Sequence, residues 1–248
     1  MKAEITKGTI ERLYNVSTMT KIMILERNVR ISALDGYMRF GTTLKDIPDD
    51  FSLPLTNLPV FLKMCESAMG KTEKVYVEYS VEEREIGLDV KKLFTVNITD
   101  GFQQTFNTYE CENEEFKAIK LDDISDKSKI DKMPEDYIAF KLDSASMKLI
   151  SKNANILSAD TLIFKKPKKD RMKCKIYSSR LVDPPYFDFV VEDVEHANCE
   201  EFPMSIPMLN VIDNQIDYKV VINCNKNAIL FANEESGTFY ITSSRKTT

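Results

Sequence analysis

Histidine, glycine and cysteine are all scarce in this 248-residue chain, and each scarcity removes a class of chemistry. The single histidine, His196, lies between Glu195 and Ala197, with no DxH, HxE or HxxxH pattern around it. It reads as an exposed loop residue rather than a catalytic base. The seven glycines form neither GxGxxG nor GxxxxGK followed by Ser or Thr, so neither common phosphate-cradling loop is present. Five cysteines (Cys65, Cys111, Cys174, Cys199, Cys224) stand singly. An odd count without a CxxC pair argues against a disulfide framework and a zinc site, and fits a reducing intracellular compartment. No apolar run reaches ~18 residues, so no transmembrane helix is expected. Met1–Thr9 is polar and charged, unlike a signal peptide.

Apolar residues make up 43% of the chain, enough to fill real cores. The length suits one large domain or two of roughly 110–120 residues. The net charge is −5. Taken alone, that counts against phosphate binding, which needs basic surface. The charges are unevenly placed, however. Residues 111–135 carry eight acidic and five basic side chains, whereas residues 165–175 carry seven basic and one acidic. Distribution therefore matters more than the sum.

Most of the chain reads as short strands rich in β-branched and aromatic residues. Lys21–Glu26, Lys74–Tyr79, Lys92–Ile98, Tyr137–Leu142, Tyr186–Val191, Tyr218–Asn223 and Gly237–Ser243 are examples. Turn signals at Asp35-Gly36, Asp100-Gly101 and Ser236-Gly237 separate them. Three stretches read as helix instead. Thr6–Thr18 has Thr6 as N-cap, and Asp143–Leu157 has Asp143. Asn57–Ala68 has its own cap, Pro59 just inside and Gly70 past the end. Pro207–Ile212 is long enough only for a short helix.

These elements recur in order. Ile5-Thr6 before Ile10 aligns with Leu142-Asp143 before Met147. Asp50-Phe51-Ser52-Leu53-Pro54-Leu55-Thr56-Asn57-Leu58 aligns with Glu201-Phe202-Pro203-Met204-Ser205-Ile206-Pro207-Met208-Leu209. Both longer segments read acid-Phe-x-apolar-x-apolar-x-x-Leu, an alternating strand running into a helix. The offsets are 137 and 151 positions, so the second half carries about fourteen extra residues. The basic stretch at 165–175 and the Asp183-Pro184-Pro185 turn are where they fit. Two copies of one unit follow, residues 1–110 and 136–248. The polar segment 111–135 joins them as a surface linker.

The helices carry the functional signal. At about 100° per residue, Met147, Ile150, Ala154 and Leu157 share one face of Asp143–Leu157. Lys148, Lys152 and Asn155 share the other, and no acidic residue interrupts it. In Asn57–Ala68, Leu58, Phe61, Leu62 and Cys65 cluster opposite Lys63, and Lys71 follows the end. In the first helix Ile10, Leu13 and Tyr14 oppose Arg12 and Asn15, with Lys7 and Glu11 flanking. Any surface helix has a charged outer face. A bias toward Lys and Arg on several helices of an acidic protein is more informative, because it places basic faces toward one common anion.

This order of helix, strands, FxLxLxxL helix and strands, then linker and repeat, resembles that of DNA sliding clamps. The T-even-phage type of polymerase clamp is the nearest, with archaeal and eukaryotic proliferating cell nuclear antigen next. The resemblance spans nearly the whole chain. It rests on Asp50–Ala68 (DFSLPLTNLPVFLKMCESA), Ser32–Leu44 (SALDGYMRFGTTL), Ile138–Leu157 and Gly237–Ser244. It implies a non-catalytic α+β protein with no cofactor: a homotrimeric ring of two-domain subunits, sheets outside and helices lining a central hole. Such a ring holds double-stranded DNA by linkage rather than affinity, so weak, sequence-blind phosphate contacts suffice. An acidic exterior then repels DNA everywhere except the hole.

Residue by residue, the resemblance implies that Lys7, Arg12, Lys63, Lys71, Lys148 and Lys152 face DNA. The short fourth helix offers only Asn210 and Asn214. Leu34, Leu121, Ile124, Ala228, Tyr240 and Ile241 would line a pocket for partner tails, the C-terminal tail of a DNA polymerase above all. Subunits would join through strands 103–110 and 171–178, with Phe106, Tyr109, Lys173, Cys174 and Ile176 at the seam. A clamp-loader ATPase is a further implied partner. For phage members, so are RNA polymerase-associated late transcription factors and the cytoplasm of an infected cell. No membrane is implied. The basic run Lys165–Lys175 would be solvated, interfacial or at the ring face. Rival readings are a metal-dependent enzyme built on Asp188, Glu192, Asp193 and Glu195, a clamp-fold viral factor acting as monomer or dimer, and a structural protein.

Overall fold

The computed structural model describes residues 1–33, 38–86, 89–110, 135–209 and 211–243. The chain divides into two units, Met1–Ile31 with Gly41–Ala118, and Ser32–Phe40 with Ile119–Thr248. The fold is α+β with antiparallel sheets.

In the first unit, β1 (Lys2–Thr6) runs directly into α1 (Lys7–Ser17). Thr6 is the N-cap, its hydroxyl accepting from the Thr9 amide at 3.3 Å. The Asp46 carboxylate reinforces this start, accepting from the Thr6 amide at 3.0 Å and the Thr9 hydroxyl at 2.8 Å. Strands β2 (Met23–Glu26), β3 (Asn28–Ala33) and β4 (Met38–Thr43) follow, then β5 (Ser52–Leu55), which pairs with β2 and leads to α2 (Leu58–Ala68). Asn57 caps α2 by accepting from the Val60 amide, and Pro59 sits in the first turn where its missing N–H costs nothing. A meander closes the unit: β6 (Lys74–Ile86), β7 (Asp89–Thr99) and β8 (Gln103–Tyr109). The sheet order is β1-β6-β7-β8, which leaves β8 at an edge.

Registers Ile5↔Val75, Val77↔Ile98 and Val96↔Phe106 place alternate apolar residues on one face. Ile10, Leu13, Leu58, Phe61, Leu62 and Cys65 of the helices are buried. Phe61 meets Phe106 at 5.9 Å between ring centroids. Burial, with the Glu66 carboxylate alongside, pushes the Cys65 thiol upward and keeps it inert. Tyr14 donates to Glu66 at 2.7 Å, tying α1 to α2. Burial first and this bond second raise its phenol to about 12.

The second unit repeats the plan. Strand β9 (Tyr137–Leu142) enters α3 (Ser144–Ile156); then come β10 (Thr161–Phe164), β11 (Met172–Tyr177), β12 (Tyr186–Val191) and β13 (Glu195–Ala197). Strand β14 (Phe202–Ser205) leads to a single turn, α4 (Ile206–Leu209), and the meander β15 (Tyr218–Asn223), β16 (Ala228–Asn233) and β17 (Thr238–Ser243). The sheets are β12-β11-β10-β14 and β13-β9-β15-β16-β17-β4-β3. The extra residues of this half sit at the expected places: 165–171 separate β10 from β11, whereas Arg27 alone separates β2 from β3.

Asp143 caps α3, accepting from the Ser146 amide at 2.7 Å. Hydrogen bonds from Ser146, through its hydroxyl and then its amide, hold the Asp143 carboxyl below the ordinary aspartate range. A lowered folded-state value means that this contribution is present above the unfolded value of about 3.9 and is lost as pH falls through the folded one. Asp143→Asn keeps an acceptor but not the titration. The stability difference between wild type and Asp143→Asn is therefore expected to shrink below about pH 4, read from urea unfolding across a pH series.

One expectation fails outright. Cys199 and Cys224 form a disulfide, their Cα atoms 5.9 Å apart and 25 positions apart in sequence. It joins the segment before β14 to the β15–β16 turn, two places that sequence spacing does not connect. Cys65 and Cys174 are free and buried.

Candidate functional site

The three long helices each leave one face open. On α3, Met147, Ile150 and Ala154 are buried while Lys148, Lys152 and Asn155 are exposed. Leu149 and Ile156 are also exposed there, so the open face is basic and partly apolar. Lys63 is exposed on α2, Lys71 lies exposed beyond its end, and Arg12 is half-buried on α1.

Ion pairing separates these cations. Lys7 is held by Glu73 at 3.2 Å. Arg12, Lys63, Lys71, Lys148 and Lys152 make no ion pair among the described residues. Their charge is therefore available to a ligand, and that of Lys7 is shared. The basic run behaves oppositely. Lys165 pairs with Glu201 at 2.7 Å, Lys166 with Glu200 at 2.6 Å and Arg171 with Glu192 at 3.1 Å. Lys175 lies 3.9 Å from the Tyr186 ring centroid. Three of the seven cations in this densest cluster are thus paired within the chain, and such exposed pairs are worth little to stability.

Only three of the residues assigned to a tail pocket are among the described ones. Leu34, Leu121 and Ile124 lie outside the described residues. Tyr240 is 1% exposed. Its ring packs 4.9 Å from that of Phe40 and 6.1 Å from that of Tyr218, and its hydroxyl accepts from the Asp213 amide. Ala228 and Ile241 are half-buried near the same end of the β16–β17 pair, Ala228 opposite Ser243 and Ile241 opposite Leu230. Asn214 is half-buried, and Asn210 lies outside the described residues.

The seam residues need one correction. Phe106 and Tyr109 lie on β8, an edge strand as expected. Lys173, Cys174 and Ile176 lie on β11, which is hydrogen-bonded to β10 on one side and β12 on the other. Cys174 and Ile176 are fully buried. A strand bonded on both sides has no free N–H or C=O row to offer a neighbour. The edge of this sheet next to β11 is β12, whose Tyr186, Asp188 and Val190 are exposed.

His196 donates from Nε2 to the Lys169 carbonyl at 2.9 Å, an exposed structural contact. Among the described residues, no group of three or more His, Cys, Asp or Glu is placed to hold a metal ion, and Glu192 of the acidic run is engaged by Arg171. No described helix is long and apolar enough to cross a membrane.

No protein-family model matches the sequence, and no curated protein matches it. Solved structures do match the fold. Proliferating Cellular Nuclear Antigen from Entamoeba histolytica aligns over 98% of this chain and 98% of its own, with a TM-score of 0.62 at 11% identity. The DNA polymerase III subunit beta from Pseudomonas aeruginosa aligns over 99% of this chain and 66% of its own, with a TM-score of 0.62 at 12% identity. At such identity the likeness is one of fold: the chain has the architecture of these clamp proteins.

Proposed function

We propose that this protein is a DNA sliding clamp, a non-catalytic processivity factor whose copies join head to tail in a homotrimeric ring around duplex DNA. The observation that carries the reading is a mismatch between equivalent edges. Within the chain, β17 hydrogen-bonds to β4. Their counterparts by order in the repeat are β8 and β12, and both are open edges. Pairing β8 of one copy with β12 of the next would satisfy both of these open edges. The seam would then involve Phe106 and Tyr109 against Tyr186, Asp188 and Val190, rather than the inner strand β11.

The unpaired cations support the same reading. In the ring, Arg12, Lys63, Lys71, Lys148 and Lys152 would meet phosphates without reading bases, and Lys7 would contribute less because Glu73 holds it. A polymerase tail, a clamp-loader ATPase and late transcription factors are the partners such a ring would serve. Tail binding would draw on Ala228 and Ile241 with Leu34, Leu121 and Ile124, while Tyr240 supports the strand from beneath.

The test is topological. The protein is expected to sediment near three times its 28.5 kDa chain mass. It should also persist on nicked circular DNA after loading while leaving the same DNA once linearised. Equal loss from both forms would reject the reading.

A further inference from the structure

Phe102 is 70% exposed, yet the turn that carries it is firmly held. The Asp100 carboxylate accepts from the Gly70 amide at 2.8 Å and the Thr72 hydroxyl at 2.6 Å, and the Gly101 amide donates to the Ala68 carbonyl at 3.0 Å. Gly70 and Gly101 touch so closely that a Cβ on Gly101 would lie 3.3 Å from the Gly70 Cα. An aromatic ring is thus presented to solvent on a preorganised support, immediately before the open edge strand β8.

The second unit contains a cavity of about 620 Å³. Leu142, Tyr218 and Ala232 line it, together with Phe189, Val190, Val191 and Glu192 at the end of β12. It lies between the end of β12 and the ends of β9 and β15, and no residue of β11 lines it. At the corresponding place in the first unit, the turn after β4 packs against the start of α1. There Asp46, just after β4, bridges to Thr6 and Thr9 at the start of α1, and Leu44 and Ile47 are buried. In the second unit Glu192 turns to Arg171, and the Ser144 amide donates to Asp217 instead.

We propose that Phe102 of one copy inserts into this cavity of the next, anchoring the end of the β8–β12 seam. The inference rests on the ring reading above and deepens it. Antiparallel pairing, as in every strand pair whose register is described, sets the start of β8 against the end of β12. On β8 the inward face carries Phe106 and Thr108, and on β12 it carries Phe187, Phe189 and Val191. Matching these faces with Phe106 opposite Phe187 puts Phe102 opposite Val191, at the cavity. A buried aromatic anchor in a pocket is the usual centre of interface energy.

The experiment uses the full-length chain with a photoreactive benzoyl-phenylalanine at position 102, and in parallel Phe102→Ala and Phe102→Trp. Irradiation is expected to link position 102 to residues 189–192 or 217–219 of another copy, mapped by mass spectrometry. Phe102→Ala should raise the concentration at which the assembly half-dissociates by about tenfold or more. It should not change the thermal midpoint of the dissociated chain, because the side chain is exposed there. Phe102→Trp should recover much of the association. If wild type assembles but Phe102→Ala assembles equally well, or if the links map to DNA, a partner protein or another surface, the anchor is wrong and the ring stands. If wild type stays at the single-chain mass at all concentrations, the ring reading fails and takes the anchor with it.

Discussion

Replacing Tyr240 with alanine is expected to destabilise the second unit by about 3–5 kcal/mol, the cost of emptying a large aromatic site in a packed core. Tyr240 is 1% exposed, and its ring sits between those of Phe40 and Tyr218. Tyr218 is equally buried and donates to the Asp213 carbonyl at 2.8 Å, while the Asp213 amide donates to the Tyr240 hydroxyl at 3.3 Å. Removing Tyr240 therefore leaves a void, takes one ring contact each from Phe40 and Tyr218, and leaves a part-buried amide without its acceptor. Tyr240→Phe isolates the last of these and should cost only about 1 kcal/mol, one neutral hydrogen bond. Urea unfolding of the two variants separates the contributions. A destabilised Tyr240→Ala with a near-normal Tyr240→Phe is the pattern of a core residue. Normal stability in Tyr240→Ala, with lost binding of a polymerase tail peptide, would instead put the ring in a peptide pocket.

Tyr240 also shows where sequence reading stops. The strand was legible: Gly237–Ser243 was expected, and Thr238–Ser243 is observed. Which way Tyr240 points, and what covers it, depends on β4, two hundred residues earlier in the chain. The helices were legible almost to the residue, because their signals are local. Thr6, Asn57 and Asp143 each cap through their own side chains. The edges were not. Lys173 and Lys175 alternate with apolar residues in β11, which mimics the charged guard of an edge strand, but Tyr186–Val191 lies outside it. Nothing within either strand tells them apart; the order is set by the chain's return through the 178–185 connection. The Cys199–Cys224 pair is silent for the same reason, since the two stand 25 positions apart with a helix turn between them. Charge was the subtlest case. Seven basic residues in 165–175 gave the loudest signal in the sequence, yet the glutamates that quench three of them come from β12's end and the approach to β14. The quieter Lys148 and Lys152 keep their charge free.

That contrast leads to the second large effect. Replacing Lys148 and Lys152 with glutamate is expected to cut initial binding to duplex DNA by one to two orders of magnitude and shorten residence on circular DNA, while leaving assembly intact. Both lysines are exposed on the open face of α3, four positions apart, so they stand one helical turn from each other along one solvent-facing line. Neither has an ion-pair partner among the described residues, and no pair must be broken for them to meet phosphate. Each phosphate contact contributes about 0.9 to the slope of log affinity against log salt. Losing two contacts should flatten that slope by about 1.8 per copy, and introduced carboxylates add repulsion that salt relieves. Affinity measured from low to moderate NaCl therefore separates this role from a merely structural one: the variants should differ most from wild type at low salt and converge as salt rises. The buried face of α3, formed by Met147, Ile150 and Ala154, is untouched, so the melting temperature should hold. Lys165→Glu with Lys166→Glu is the internal control. Those side chains are already neutralised by Glu201 and Glu200, and reversing them should leave the salt slope nearly unchanged. If the control pair flattens the slope and the α3 pair does not, DNA runs along the β10–β11 connection rather than along the helices.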